Sequence, residues 1–177
     1  MKPNRFLGIV FWLLILAGLG LFLGLRSYRV FTQEELVAVV RCQVSSDPVY
    51  SFDLEFTPMA HGIPAAAVRF PMQGEQWTVE GDILKWHPWL NWVGIRNCHK
   101  ITRLAGRYVK ASAQASAPRS VYEVEGGTSE VWRWLYRWGP KLPFVEAVYG
   151  SAAYVFAGPG SRWGVYVTLS GYLIKPL

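Results

Sequence analysis

The chain has 177 residues and a net charge of +6, and its nine Trp, nine Tyr and nine Phe supply enough large apolar surface for one domain with its own core. Two cysteines this far apart, Cys42 and Cys98, exclude a CxxC redox or zinc pair. The charge is concentrated: Lys85, Arg96, Lys100, Arg103, Arg107, Lys110 and Arg119 occupy a stretch between Asp82 and Glu123 that holds no acid, and no nucleic-acid-binding motif accompanies them.

Residues 6–25, FLGIVFWLLILAGLGLFLGL, carry no charge and no proline. At 1.5 Å per residue they make about 30 Å of helix, the thickness of the hydrocarbon core of a bilayer. A signal peptide's apolar region runs about 7 to 15 residues before a small-x-small cleavage site. This run is longer and ends in Arg26-Ser27-Tyr28-Arg29, so it reads as a retained anchor. Residues 1–27 are then tail and anchor, 28–35 a short linker, and 36–177 a membrane-tethered domain. Lys2 and Arg5 before the span balance Arg26 and Arg29 after it, so the positive-inside rule does not set the orientation. The short tail favours a C-terminal domain outside the cytoplasm. Ala17, Gly20 and Gly24 fall on nearly one face of the span, a pattern that serves close helix docking and that is also common in membrane helices.

After the anchor, Thr32-Gln33-Glu34-Glu35 has the form of a capping box, which announces a helix. The alternation of Leu36, Ala38, Val40, Cys42 and Val44 with their neighbours, and the β-branched content, announce a strand instead. Ser45-Ser46-Asp47-Pro48 supplies a turn, and Tyr50, Phe52, Leu54 and Phe56 alternate strictly, so the two runs form an antiparallel hairpin with an aromatic face. Residues 66–70, between Pro64 and Pro71, suit an edge strand. Residues 76–80 and 82–86 are further strands, separated or bulged at Gly81.

Residues 96–110 fit two structures. As a helix they gather Arg96, Lys100, Arg103, Arg107 and Lys110 on one arc. Ile101, Thr102, Gly106 and Val109 argue against a helix, and as a strand these residues send Arg96, Lys100 and Lys110 to one face and Arg103 and Arg107 to the other. Residues 111–118 read as a loop and 120–124 as a short strand. A helix follows, capped by Thr128 or Ser129 and stopped by Gly139-Pro140, with Val131, Trp132, Leu135 and Trp138 on its apolar side and Arg133 and Arg137 one turn apart. The alternation before and after residues 157–161, AGPGS, predicts a second hairpin, and residues 172–175 a last strand. The fold class is therefore a single transmembrane helix followed by one β-rich α+β domain of antiparallel hairpins with one or two short helices.

Several phrases together, LRSY at 25–28, GDILKW at 81–86, LAGRY at 104–108, PRSVY at 118–122 and LPFVEAVYGSA at 142–152, resemble a family of small uncharacterised proteobacterial inner-membrane proteins. Automatic labelling often calls that family cation or multidrug efflux pumps. The resemblance covers most of the chain and implies an inner-membrane role beside other membrane proteins. This chain departs from the pattern in having one span where relatives often have two. One helix without a mid-membrane ionisable residue encloses no transport path, so it cannot pump alone.

Catalytic chemistry is not signalled. His61, His87 and His99 are scattered, no GxSxG motif surrounds Ser151, and the few aspartates, Asp47, Asp53 and Asp82, form no close pair. No metal or cofactor is called for. Trp86, Trp89 and Trp92 crowd one segment and Trp132, Trp134 and Trp138 another, each with basic neighbours, a composition that suits a head-group layer as well as an aromatic core. Trp89, Trp92 and Trp134 lie off the core periodicity. With Arg133, Arg137 and the five cations of 96–110 they form the expected membrane or partner surface. Cys42 and Cys98 can close a disulfide in an oxidising compartment and stay thiols in the cytoplasm. The function expected is a non-catalytic accessory subunit of a larger inner-membrane complex. Its partners would be other membrane subunits and anionic lipid head groups, with no nucleic acid. The alternative is a self-contained envelope protein that binds lipid or a small amphiphile.

Overall fold

A single helix, α1 (Pro3–Phe31), carries the apolar run in a computed structural model that describes residues 3–60, 62–124 and 126–177, with side chains described outside 3–7 and 29–31. Its segment Gly8–Tyr28 is long and apolar enough to cross a bilayer, and none of it is buried against the rest of the chain. The helix runs past residue 25 to Phe31, so the linker expected at 28–35 contracts to residues 32–34. Thr32 explains why its capping box starts no helix. Its N–H and hydroxyl both donate backwards to the Tyr28 carbonyl, at 3.0 and 2.8 Å, closing α1.

The domain is two antiparallel sheets. Sheet one holds β1 (Glu35–Val44), β2 (Phe52–Ala60), the two-residue β3 (Ile63–Pro64) and β4 (Val68–Met72), with β9 (Arg162–Val167) and β10 (Tyr172–Pro176) on the other side of β1. Sheet two has the order β7 (Val121–Glu123), β6 (Cys98–Arg107), β5 (Gln76–Trp86), β8 (Val145–Phe156). Ala38, Val40 and Cys42 of β1 and Phe52, Leu54 and Phe56 of β2 meet Trp77, Val79 and Ile83 of β5 and Leu104 of β6 in one core, so the sheets pack face to face. Among the described residues β4 pairs with β2 alone, as an edge strand does, and Pro71 lies inside it, not beyond its end.

The expected second hairpin is not one. β8 pairs with β5 and β9 with β1, so residues 157–161 carry the chain from sheet two to sheet one. Alternation identifies both strands but not their partners. The crossing is fixed by Ala157 N–H donating to Glu75 O at 3.0 Å and by the backbone bonds that Gly160 and Ser161 make with Cys42 across the corner.

Three short helices decorate the sandwich: α2 (Pro88–Trp92), α3 (Ala111–Ser116) within the stretch read as a loop, and α4 (Glu130–Trp138), which continues into a 3-10 turn, Gly139–Lys141. Ser129 occupies the N-cap position of α4 but its side chain makes no capping bond. The apolar side expected for α4 is also half wrong. Trp132 packs with Leu84 and Val145 on the outer face of sheet two and Leu135 lies against them, whereas Val131 and Trp138 are exposed.

Candidate docking surfaces

The basic segment is a strand, and one extra residue decides where its charges point. In β6 the register passes from Arg103 opposite Glu80 to Ile101 opposite Gly81, leaving Thr102 as the bulged residue. The bulge moves Lys100, opposite Asp82, onto the face that already holds Arg103 and Arg107. Dispersal of the cations to two faces, the expectation for a regular strand, is thereby corrected for these three. Gly81 permits the bulge, since a Cβ there would sit 2.2 Å from the Lys100 carbonyl oxygen. Arg96 and Lys110 lie outside the strand. Arg96 donates to Glu35 at 3.2 Å and Lys110 is exposed at the start of α3.

On the outer face of sheet two, Arg103 donates to Glu80 through Nε at 2.8 Å and through a second guanidinium nitrogen. Arg107 lies over the Tyr154 ring, 3.9 Å from its centroid. These residues, Arg119 and Gln114 line a groove of about 440 Å³. Neither Arg107 nor Arg119 forms an ion pair among the described residues, so the groove has free cationic capacity. Arg119 belongs to the basic stretch read from the sequence, whereas Tyr154 is a site residue that the sequence did not single out. Tyr154 is legible by parity, lying opposite Thr78 on the outward side of β8.

The same face has a polar interior beside α4. Asp82 is buried, and its Oδ1 accepts from the Tyr136 hydroxyl at 2.8 Å. Burial first, then that bond and the Asp82 charge, push the Tyr136 phenol well above its ordinary value. Among the described residues no group of three His, Cys, Asp or Glu side chains could hold a metal ion, and His61 lies outside the described residues.

Trp89, Trp92 and Trp134 are 54%, 38% and 52% exposed, so none of the three belongs to the core. Arg133 pairs with Glu130 at 3.2 Å, and Arg137 lies 5.7 Å from the Trp138 ring. Trp92 meets α1: Arg26 Nε donates to the Trp92 carbonyl at 3.0 Å, with the guanidinium 5.3 Å from the indole centroid. Further along α1, Ala17, Gly20 and Gly24 are exposed, and a Cβ on either glycine would touch nothing.

The cysteines are not bonded to each other. Cys42 is fully buried on β1 and Cys98 lies exposed at the start of β6, in the other sheet. Burial raises both thiols, only partly opposed by the polar groups of Ser161 and Trp77 beside Cys42 and of Trp86 beside Cys98. The disulfide is corrected to two thiols because strand position holds one in the core while the other faces outward. No protein-family model, curated protein or solved structure matches this chain.

Proposed function

We propose that this chain is a non-catalytic accessory subunit of a larger inner-membrane complex. It would dock through the exposed face of α1 around Ala17, Gly20 and Gly24 and through the cationic groove of sheet two. The observation that carries the reading is an anchor with no partner along its apolar length, joined at one end to a domain with a groove whose Arg107 and Arg119 lack acidic partners among the described residues. Small residues let a second membrane helix approach closely where lipid gives no hydrophobic drive. Trp77, Phe56, Leu54 and Met72 fill the space between the sheets, which favours a subunit over a sandwich that encloses an amphiphile. The resemblance to proteobacterial inner-membrane proteins supports the compartment, and the proposal includes a periplasmic domain.

Mild detergent extraction followed by native mass measurement tests the proposal. A stable hetero-assembly is expected, and a lone lipid-bearing chain would overturn it. Replacing Gly20 and Gly24 by Leu should weaken co-purification while leaving membrane insertion intact. Unchanged co-purification would remove these glycines from the docking face.

A further inference from the structure

Two connections lie at the same end of sheet two. One is α2, between β5 and β6; the other is the 3-10 turn between α4 and β8. They are tied together, since His87 N–H donates to Phe144 O at 3.0 Å and the Trp86 and Phe144 rings lie 6.1 Å apart. This end exposes Trp89, Trp92, Val93 and Ile95 from the first connection and Trp138 and Phe144 from the second. Such a cluster is unusual on a sandwich whose core is otherwise filled.

The cluster is rigid. Pro88 starts α2, and Gly94, at φ 106°, turns the chain so that Ile95 N–H reaches Leu90 O at 3.0 Å. Beneath it, the buried Asn91 amide donates to Ile95 O at 2.9 Å and to Asn97 Oδ1 at 3.1 Å, and the same Asn97 oxygen accepts from Trp86 N–H. A loop built only to connect β5 with β6 needs no such support for an apolar tip.

Cations frame the tip. Lys141 Nζ lies 4.2 Å from the Trp138 ring centroid and Arg137 is beside it, while Arg26 lies against Trp92. Indoles with adjacent cations are the composition of the layer where acyl chains meet phosphates. Arg26 fixes the height, because it stands near the C-terminal end of the segment Gly8–Tyr28 and touches Trp92 directly.

We infer that this end of sheet two rests in the phospholipid head-group layer of the bilayer that α1 crosses, with Trp89, Trp92, Val93 and Ile95 at the acyl boundary and Arg26, Arg137 and Lys141 at the phosphates. The inference rests on α1 being a span, and it goes beyond the accessory-subunit reading by assigning this surface to lipid. It sets the posture of the domain. Arg107, opposite Gln76, stands at the far end of β5 from α2, so the cationic groove lies at the other end of the sheet.

The test uses the full chain with Cys98→Ser, reconstituted into vesicles of zwitterionic phospholipid containing a minority of anionic phospholipid. A fluorophore is attached in turn through Leu16→Cys, Val93→Cys or Val109→Cys, with Cys42 protected by burial. The label at 16 should lose most of its emission to a nitroxide deep in the acyl chains. The label at 93 should lose it to a shallow nitroxide and be protected from aqueous iodide, and the label at 109 should respond to iodide alone. A label at 93 that behaves like the one at 109, while the label at 16 stays quenched, overturns the lipid contact and leaves the span standing. Escape of the label at 16 from the deep quencher overturns the span, and this inference with it. Protection at 93 from both quenchers assigns the surface to protein and also overturns the lipid contact.

Discussion

The two faces of sheet two share strands and register but obey different rules. The inner face, with Trp77, Val79, Ile83 and Leu104, is sealed by sheet one, and each of these side chains is fully buried. The outer face is covered by α4 at Leu84 and Val145, and it is open where Arg103, Arg107 and Tyr154 stand. A sealed face is specified by volume and is destabilised strongly by any loss. An open face is specified by charge and direction, so it can change with little effect on stability and a large effect on what it binds.

The largest test of that contrast is Trp77→Ala. Removing a fully buried indole shared by both sheets should cost about 3–5 kcal/mol, read as a loss of the folded baseline or a much lower denaturation midpoint. On the outer face, Tyr154→Ala removes a cation–π contact with Arg107 and should cost only about 0.5–1 kcal/mol. Equal costs from chemical denaturation would mean that the faces do not differ as described.

The same contrast explains what could be read from the sequence. Period-two alternation names Ala38, Val40, Cys42, Phe52, Leu54 and Phe56 as one buried layer, because a face sealed by a second sheet leaves that imprint on every other residue. The apolar helix α1 and the α4 helix are legible for similar reasons. The groove is not, because Lys100 joins Arg103 and Arg107 only through the bulge at Thr102, and one inserted residue has no compositional signature. Strand partners are equally silent: nothing within residues 145–156 says that they pair with β5 and not with the strand that follows. Pro88 after a strand is a helix-start signal that could have found α2, but Val93 and Ile95 become conspicuous only once Asn91 is seen folding the loop beneath them.

Where α4 seals the outer face, the bond between Tyr136 and Asp82 carries an intermediate cost. Tyr136→Phe should destabilise by about 1–3 kcal/mol at neutral pH, because it strips Asp82 of a hydrogen-bond donor. The pH dependence follows from the raised phenol. Unfolded Tyr136 releases its proton near pH 10 and the folded residue keeps it, so above that pH the unfolded state binds fewer protons. The stability is present in full below about pH 10 and is lost as pH climbs towards the folded value. Cys42 and Cys98, also raised from 9.0, begin the decline near pH 9, and Tyr122 and Tyr149 add to it. The alkaline fall in unfolding free energy should therefore be shallower in Tyr136→Phe without becoming level. An unchanged alkaline slope would show that this phenol titrates alike in both states.

The smallest stability effect should come from the open half of the face, and there the contrast is sharpest. Arg103 and Glu80 form an ion pair at the surface, where water screening and side-chain entropy leave a pair worth about 1 kcal/mol or less, so Arg103→Ala should barely move the denaturation midpoint. Arg107→Ala together with Arg119→Ala should move it little as well, since neither residue is ion-paired among the described residues. If the groove docks an acidic partner, however, both changes remove charge from the contact. Co-purification should fall in the double variant, and what remains should depend less steeply on salt, because fewer screened attractions are left to lose. Lys110→Ala, exposed at the start of α3 and not lining the groove, is the control for charge lost elsewhere, and Arg107→Ala alone is its match in charge. A fall in Lys110→Ala as large as in Arg107→Ala would mean that net charge and not the groove attracts the partner. Unaltered co-purification in the double variant would remove the groove from the docking surface and leave α1 to hold the complex.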